Sequence, residues 1–437
     1  MPTTTTPTID HRIVHVTGGI PLHGSIPVQG SKNIALHLYA AALLADEPLV
    51  LTGTPEILDT AVCAEILNRT GTPTTVTGDR FTVTPANSWS SVIPDELGRR
   101  IRTTAVMAAA LLARSGTVTF PLPGGDDFCA RYIDRHLDAM DAAGADVEVS
   151  HGKVHSQIGS PRQRPFVTNV TTKSWGPSLG ATVTAMLLAA RIPGTSSILG
   201  PSVEPEVTVT ADLLAHSGVC IEWQGTSALH VTGTDNICGG VFAVPPDRLE
   251  AATLALAAAI TGGTVHLHRF PPVGFPDGLR TVFADVGISI TAVNGGTAIS
   301  APRNLCAVQM ATGPHPGFPT DMQPQLTAFL TQVEGRSRIA ERIYTRRDTH
   351  LSGLTAFGAT VHADGPVIVV RGPSRLSAAD VVGKDIRAVS ALLLAALVAE
   401  GTSSIRGMYH LRRGYGSLLP KLATLGAQLT ICDKETH

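Results

Sequence analysis

Ala/Leu-rich apolar runs recur along the chain. Each stops at a small polar residue or a glycine and then enters a strand-like segment. The pattern occurs six times: "AAALLADEPLVLTG", "AALLARSGTVTFPL", "LLAARIPGTSSILG", "LAAAITGGTVHLHR", "AFLTQVEGRSRIAE" and "AALVAEGTSSIRGM". A second signature follows each run: a short helix ending in glycine, then an alternating strand. Its copies are "LNRTGTPTTV", "MDAAGADVEV", "LLAHSGVCIE", "FADVGISITA", "LTAFGATVHA" and "LATLGAQLTI". Their glycines, Gly71, Gly144, Gly218, Gly287, Gly358 and Gly426, recur about every 70 residues. A glycine there can adopt the left-handed conformation that closes a helix, and the β-branched residues after it favour a strand. Each repeat is one strand–helix unit that needs neighbours to cover its apolar faces.

Six repeats in 437 residues predict an α/β protein of two lobes, three repeats in each. Pro245 and Pro246 interrupt the pattern between the third and fourth copies. The expected lobes are 32–245 and 1–31 plus 246–437. The strand-like "HRIVHVTGG" near the start is expected to pair with the second lobe. Function is expected in the cleft between lobes, where ligand sites are favoured.

Composition narrows the classes. The chain is 43% apolar and 16% charged with a net charge of -2, and it has no long basic or acidic run, so neither nucleic acid nor a membrane surface is indicated. Only 4% of residues are aromatic, which argues against base-stacking platforms. Cys63, Cys129, Cys220, Cys238, Cys306 and Cys432 include no C-x-x-C pair, so no metal cage is expected. The N-terminus lacks an apolar signal core and no apolar run reaches membrane-spanning length, which predicts a cytoplasmic protein with reduced thiols.

Residues that break the repeat pattern are the candidates for chemistry. Lys32 follows Gly30 and Ser31 and opens an apolar helix, where unpaired N–H groups and a cation together make an anion site. Only six lysines stand against 27 arginines, which sets this one apart, although an ordinary exposed lysine remains the plain alternative. The loop "PGGDDFCAR" places Asp126, Asp127, Cys129 and Arg131 after two glycines; taken alone it also reads as a solvated loop. "PHPGFPTDMQPQ" brings three prolines up to Asp321, which begins a helix and could simply cap it. Arg102, Arg347, Arg387 and Arg413 complete the set, against a background in which isolated arginines are usually surface residues.

In this order, "GSKNIAL", "PGGDDFCAR", "HPGFPTDMQPQ", "DIRA" and "RRGY" resemble the enolpyruvyl transferase family, in particular its branch that uses UDP-N-acetylglucosamine. The likeness covers nearly the whole chain. It implies two inside-out α/β domains closing over phosphoenolpyruvate and an acceptor alcohol, with no cofactor and no metal. By the same likeness Lys32, Arg131 and Arg413 bind phosphoenolpyruvate, while Arg102, Arg347 and Arg387 support the charge lattice. Asp321 receives the acceptor's proton, and Asn33 and Asp321 hold the acceptor. Asp134, His136, Ser178 and Gly180 fall in the uridine-nucleotide strip, and Ile343 is a further substrate-binding residue. Protonation of the methylene carbon, attack of a hydroxyl and loss of phosphate need an acid, a base and an anion cradle, which these residue types can supply.

The sequence also departs from the family. The residue after Pro-Gly-Gly, a cysteine in many relatives, is Asp126 here. It is expected to be the acid of a mobile lid, kept protonated by desolvation or by Asp127, with Cys129 serving as packing. Insensitivity to fosfomycin, which alkylates the thiolate of relatives, is then expected. Tyr132 stands where the nucleotide strip usually has proline, and Trp175 lies beside it. The expected partners are phosphoenolpyruvate and a uridine nucleotide. UDP-N-acetylglucosamine is favoured; the 3'-hydroxyl of UMP in nucleoside-antibiotic synthesis, or a non-catalytic nucleotide-binding role, are the alternatives.

Overall fold

The computed structural model describes residues 12–126, 132–159, 164–172, 176–301 and 304–432. Asp127, Cys129, Arg131 and Trp175 lie outside them. Contacts divide the chain into two compact units. One comprises Gly30–Gly125 and Ala130–Pro245; the other comprises Pro246–His437 with Met1–Gln29 and Asp126–Cys129. The division puts Gly30 and Ser31 with the first unit and Asp126 with the second.

Each unit is built around three helices. In the first they are Lys32–Ala42, Thr104–Ser115 and Leu179–Ala189; in the second, Arg248–Ile260, Gln323–Leu330 and Ile386–Ala396. These are the Ala/Leu-rich runs. Every residue of the three helices in the second unit is buried. A helix covered on all sides has no use for a polar stripe, and the few polar residues these helices carry, such as Glu250, Gln325 and Arg387, are buried with the rest.

Sheets surround the helices. Among the described residues each unit has three, all four-stranded except Thr117–Pro121, Lys153–Ile158 and Ala145–Ser150, which form one of three; a two-stranded ribbon joins the first unit. The repeat is clear from the pairing. Leu49–Thr52 pairs antiparallel with Arg80–Val83, which pairs antiparallel with Thr74–Thr77, and Gly240–Ala243 adds in parallel. Thr264–His268, Gly296–Ser300, Ser289–Val293 and His23–Pro27 repeat that order in the second unit. Strands such as Gly296–Ser300 bury alternate residues, so one face packs inward. Helices inside and sheets outside make each unit an inside-out α/β domain.

All six signature glycines have positive φ, between 86° and 105°, at the ends of the short outer helices. The N-terminal strand Ile13–Thr17 lies between Thr402–Arg406 and Gln428–Cys432, antiparallel to both, and so closes a sheet of the second unit.

One buried ion pair ties the second unit together. Lys421 Nζ lies 2.7 Å from Glu250 Oε1, and the Glu250 side chain is wholly buried. The other oxygen, Oε2, accepts from the Gln29 backbone N–H at 2.7 Å. The carboxylate therefore joins an inner helix, an outer helix and the N-terminal segment. Lys421→Met should strand it in the core and cost about 3–5 kcal/mol, read as a lower urea midpoint. Recovery of at least half that loss on adding Glu250→Gln is expected; no recovery would mean the pair is not the cause.

Candidate active site

The polar candidates of the first unit collect at helix starts. Ser31 caps Lys32–Ala42, its hydroxyl facing the Ile34 N–H at 3.5 Å. Lys32, in the first turn, points its ammonium at Asp59, 3.0 Å away; their side chains are 12% and 4% exposed. Lys32 is thus a held cation and not a free surface lysine. The backbone carbonyl of Asn33 accepts a 2.7 Å bond from His37 Nδ1. Ser178 caps Leu179–Ala189. Gly180 leaves room for the His136 ring: a Cβ there would stand 2.5 Å from Cε1 and Nε2. His136 Nδ1 is 2.8 Å from the Thr184 hydroxyl. Arg102, just ahead of Thr104–Ser115, donates to the Tyr132 carbonyl at 2.8 Å. Asp134 opens the helix Asp134–Ala142, where a carboxylate suits the positive end.

Burial, then Arg102, His37 and Arg135, lower the His136 pKa to about 3, so the ring is neutral at ordinary pH. The same influences place Arg102, His37 and His136 near one another. Asn33 shares the helix of His37, and the helix that Ser178 caps packs Gly180 and Thr184 against the His136 ring.

The second unit holds a tighter cluster. Asp321 lies in the 3-10 turn Thr320–Met322, and its oxygens are divided between two arginines. Arg347 Nη1 is 2.7 Å from Oδ1, and Arg387 Nη2 is 2.7 Å from Oδ2. Asp321 does not cap the following helix, whose cap position is Met322. Burial raises the Asp321 carboxyl pKa, but the guanidiniums of Arg387 and Arg347 outweigh it and hold it far below the usual range. Arg387 also donates to the Tyr415 hydroxyl. Its backbone N–H is capped by Asp385 at 2.9 Å, so helix and side chain are set together.

Asp126 is the third carboxylate. Its Oδ1 accepts from Arg413 Nη1 at 2.7 Å and from His410 Nδ1 at 3.1 Å. The neighbours expected to keep it protonated were a desolvating surface or Asp127. Asp127 lies outside the described residues; the Asp126 side chain is 11% exposed, and its described neighbours include a guanidinium and an imidazole. Ile343 is positioned through its backbone, which donates to Glu341 Oε1 at 2.8 Å. The buried Glu341 carboxylate also accepts from Thr312, from the Tyr344 N–H and from Thr320, and Thr320 in turn accepts from Arg347 Nη1 at 3.0 Å.

Asp59, Glu341, His410 and Tyr415 were not singled out in the sequence. Glu341 had a local signal, because it precedes by two and three residues the N–H groups it accepts from. His410 lies three residues before Arg413, a spacing that puts both on one helical face. Tyr415 closes the "RRGY" stretch, two residues after Arg413, but nothing there pointed to Arg387; Asp59 comes from another turn of the chain and had no signal.

His350 is wholly buried, and neither ring nitrogen has a hydrogen-bond partner among the described residues. Burial first, then Arg347, lower its pKa to about 3. The unfolded value is about 6.5. The stabilisation from a neutral ring is thus complete above pH 6.5 and is lost as pH falls toward 3. Stability should decline over that window, and His350→Leu should flatten the slope by one proton, about 1.4 kcal/mol per pH unit. Urea melts at several pH values measure this, and an unchanged slope would mean that the ring is charged in the folded protein.

Comparison with known proteins shows the family. Residues 16–422 match the family described as EPSP synthase (3-phosphoshikimate 1-carboxyvinyltransferase). The UDP-N-acetylglucosamine 1-carboxyvinyltransferase of Azorhizobium caulinodans is 38% identical over 434 residues, covering 95% of this chain and 98% of that protein. The protein of the same name from Chlorobium limicola is 35% identical, covering 95% and 97%. The enolpyruvyl transferase NikO from Streptomyces tendae superposes with a TM-score of 0.88 at 25% identity, over 97% of this chain and 99% of that one. An EPSP synthase from Acinetobacter baumannii shares the fold, with a TM-score of 0.74 at 15% identity over 96% and 99%. Among the described residues no helix is long and apolar enough to cross a membrane. A family match over nearly the whole chain, joined to paired carboxylates and arginines at helix starts, places this protein in the EPSP synthase family as an enolpyruvyl transferase.

Proposed function

We propose that the protein transfers the enolpyruvyl group of phosphoenolpyruvate to a hydroxyl of a uridine nucleotide and releases phosphate, with the 3-hydroxyl of UDP-N-acetylglucosamine as the favoured acceptor. The observation that carries this reading is Asp321, a carboxylate held ionised by Arg347 and Arg387. Asp126 passes a proton to the methylene carbon, and C2 becomes cationic. The acceptor oxygen, oriented by Asn33 and Asp321, bonds to C2. Its proton leaves to Asp321; so weak a base suffices because the alcohol becomes strongly acidic as it bonds to a cation. Departure of phosphate, with return of the methyl proton to Asp126, restores the double bond. Lys32, Arg131 and Arg413 hold the phosphate and carboxylate of the donor, and Arg102, Arg347 and Arg387 balance charge around them. Asp134, His136, Ser178, Gly180 and Ile343 receive the nucleotide.

The names of the relatives support UDP-N-acetylglucosamine. A second acceptor, the 3'-hydroxyl of UMP, is favoured by one observation: Tyr132, 79% exposed, takes the place of the family's proline in the nucleotide strip. Phosphate release from phosphoenolpyruvate with each acceptor in turn decides between them. Turnover with UDP-N-acetylglucosamine and little with UMP is expected; the reverse selects the second reading, and release with neither removes both.

Arg413→Ala and Lys32→Ala should each lower kcat/KM about ten- to a hundredfold, since each removes a charge-assisted bond to an anion. Asp321→Asn should lower kcat by about 10²–10⁴. Turnover within a few-fold of wild type in all three would defeat the assignment. The wild type should be indifferent to fosfomycin, whereas Asp126→Cys should remain active and become sensitive.

A further inference from the structure

His410 has no part in the reaction as derived above, yet it touches the group assigned as the acid. It belongs to the short helix Met408–Arg412. The helix is entered through Gly407, whose φ is +100° and where a Cβ would stand 2.3 Å from the Gly383 carbonyl oxygen, so the entry angle admits only glycine. His410 and Arg413 are three positions apart, and both side chains meet Asp126 Oδ1, at 3.1 and 2.7 Å. A carboxylate oxygen only accepts, so the ring hydrogen facing it sits on Nδ1. Asp126 follows Gly125, whose φ is +109°. Two donors converge on one carboxylate oxygen and restrain its orientation. Arg413 supplies charge. His410, with a single directed N–H, supplies direction.

We propose that His410 is a positioning residue for Asp126: its Nδ1–H fixes the rotation of the carboxyl group that exchanges the proton with the substrate's methylene carbon. This rests on the reading of Asp126 as the acid. His410 does not act as a substrate anion's counter-ion, so its loss falls on kcat and leaves KM for both substrates nearly unchanged. Loss of one hydrogen bond to a charged group corresponds to about a ten- to hundredfold effect.

The test compares His410→Leu, which has no donor, with His410→Asn, whose side-chain amide nitrogen can stand in for Nδ1. The His410 side chain is 27% exposed, so neither change empties a core, and unchanged urea midpoints confirm that the fold persists. Phosphate release should fall about ten- to a hundredfold in kcat for the leucine variant and recover at least in part for asparagine. A leucine variant within twofold of wild type, or an asparagine variant no better than leucine, overturns the proposal. A second arm needs no turnover. In the Asp126→Cys protein an adjacent imidazole raises thiol reactivity, so iodoacetamide should modify the introduced thiol several-fold faster with His410 present than in the variant that also carries His410→Leu. Equal rates overturn the contact between the two positions. If the wild type releases no phosphate with either acceptor, the function proposed above fails, and this alkylation comparison alone decides whether His410 acts on position 126.

Discussion

Burial of whole helices is the constraint on which the rest depends. A helix covered on every side can carry a polar group along its length only where a partner is supplied, as Lys421 is for Glu250, so most of the charged candidates stand at the ends. In this protein they gather at the N-terminal ends. Lys32 and Asn33 begin one inner helix, Arg102 precedes the next, and Ser178 and Gly180 begin the third. Asp247, Asp321 and Arg387 stand at the starts of the three in the second unit. Those ends present unpaired N–H groups and the positive pole of the helix, which suits anionic ligands. One fold rule thus accounts both for the apolar runs and for the placement of the candidate site.

The charges brought to these ends meet a second constraint. A buried charge is costly unless it is paired, and here the pairs are made across long stretches of sequence. Lys32 meets Asp59, Asp321 is shared between Arg347 and Arg387, and Glu250 meets Lys421. Such pairs add little net stability compared with apolar residues of the same size. They hold cations and carboxylates in fixed orientation before any substrate arrives, and electrostatic catalysis depends on that. In the Asp321 cluster the guanidiniums of Arg387 and Arg347 outweigh burial and hold the carboxyl far below the usual carboxylate range.

Two of the residues set against the family's pattern in the sequence lie off the inner helices. Asp126 stands on a glycine loop, and Tyr132 is exposed. Neither change disturbs an inner helix. A carboxylate in place of a thiolate alters which partners can hold the residue at this position, because a carboxylate oxygen accepts directed hydrogen bonds well. Arg413 and His410 both take that role.

The repeat, the two sets of three, the buried helices and the closing strand Ile13–Thr17 were all legible in the sequence, because each rests on short-range periodicity or on glycine and proline chemistry. The cations Lys32, Arg347, Arg387 and Arg413 and the carboxylates Asp126 and Asp321 could also be picked out, since they interrupt that periodicity. Their partners could not. Asp59 lies 27 residues from Lys32, Asp321 is 66 from Arg387, and Asp126 is 284 from His410. Nor could the sequence tell that Asp321 serves two arginines and caps no helix, or that Arg413 and His410 meet Asp126. Local patterns determine which segments become helix or strand and which residues are out of place in them. Only the packing of distant segments decides which charges meet, because the energy of a buried charge depends on what surrounds it in space and not on what precedes it along the chain.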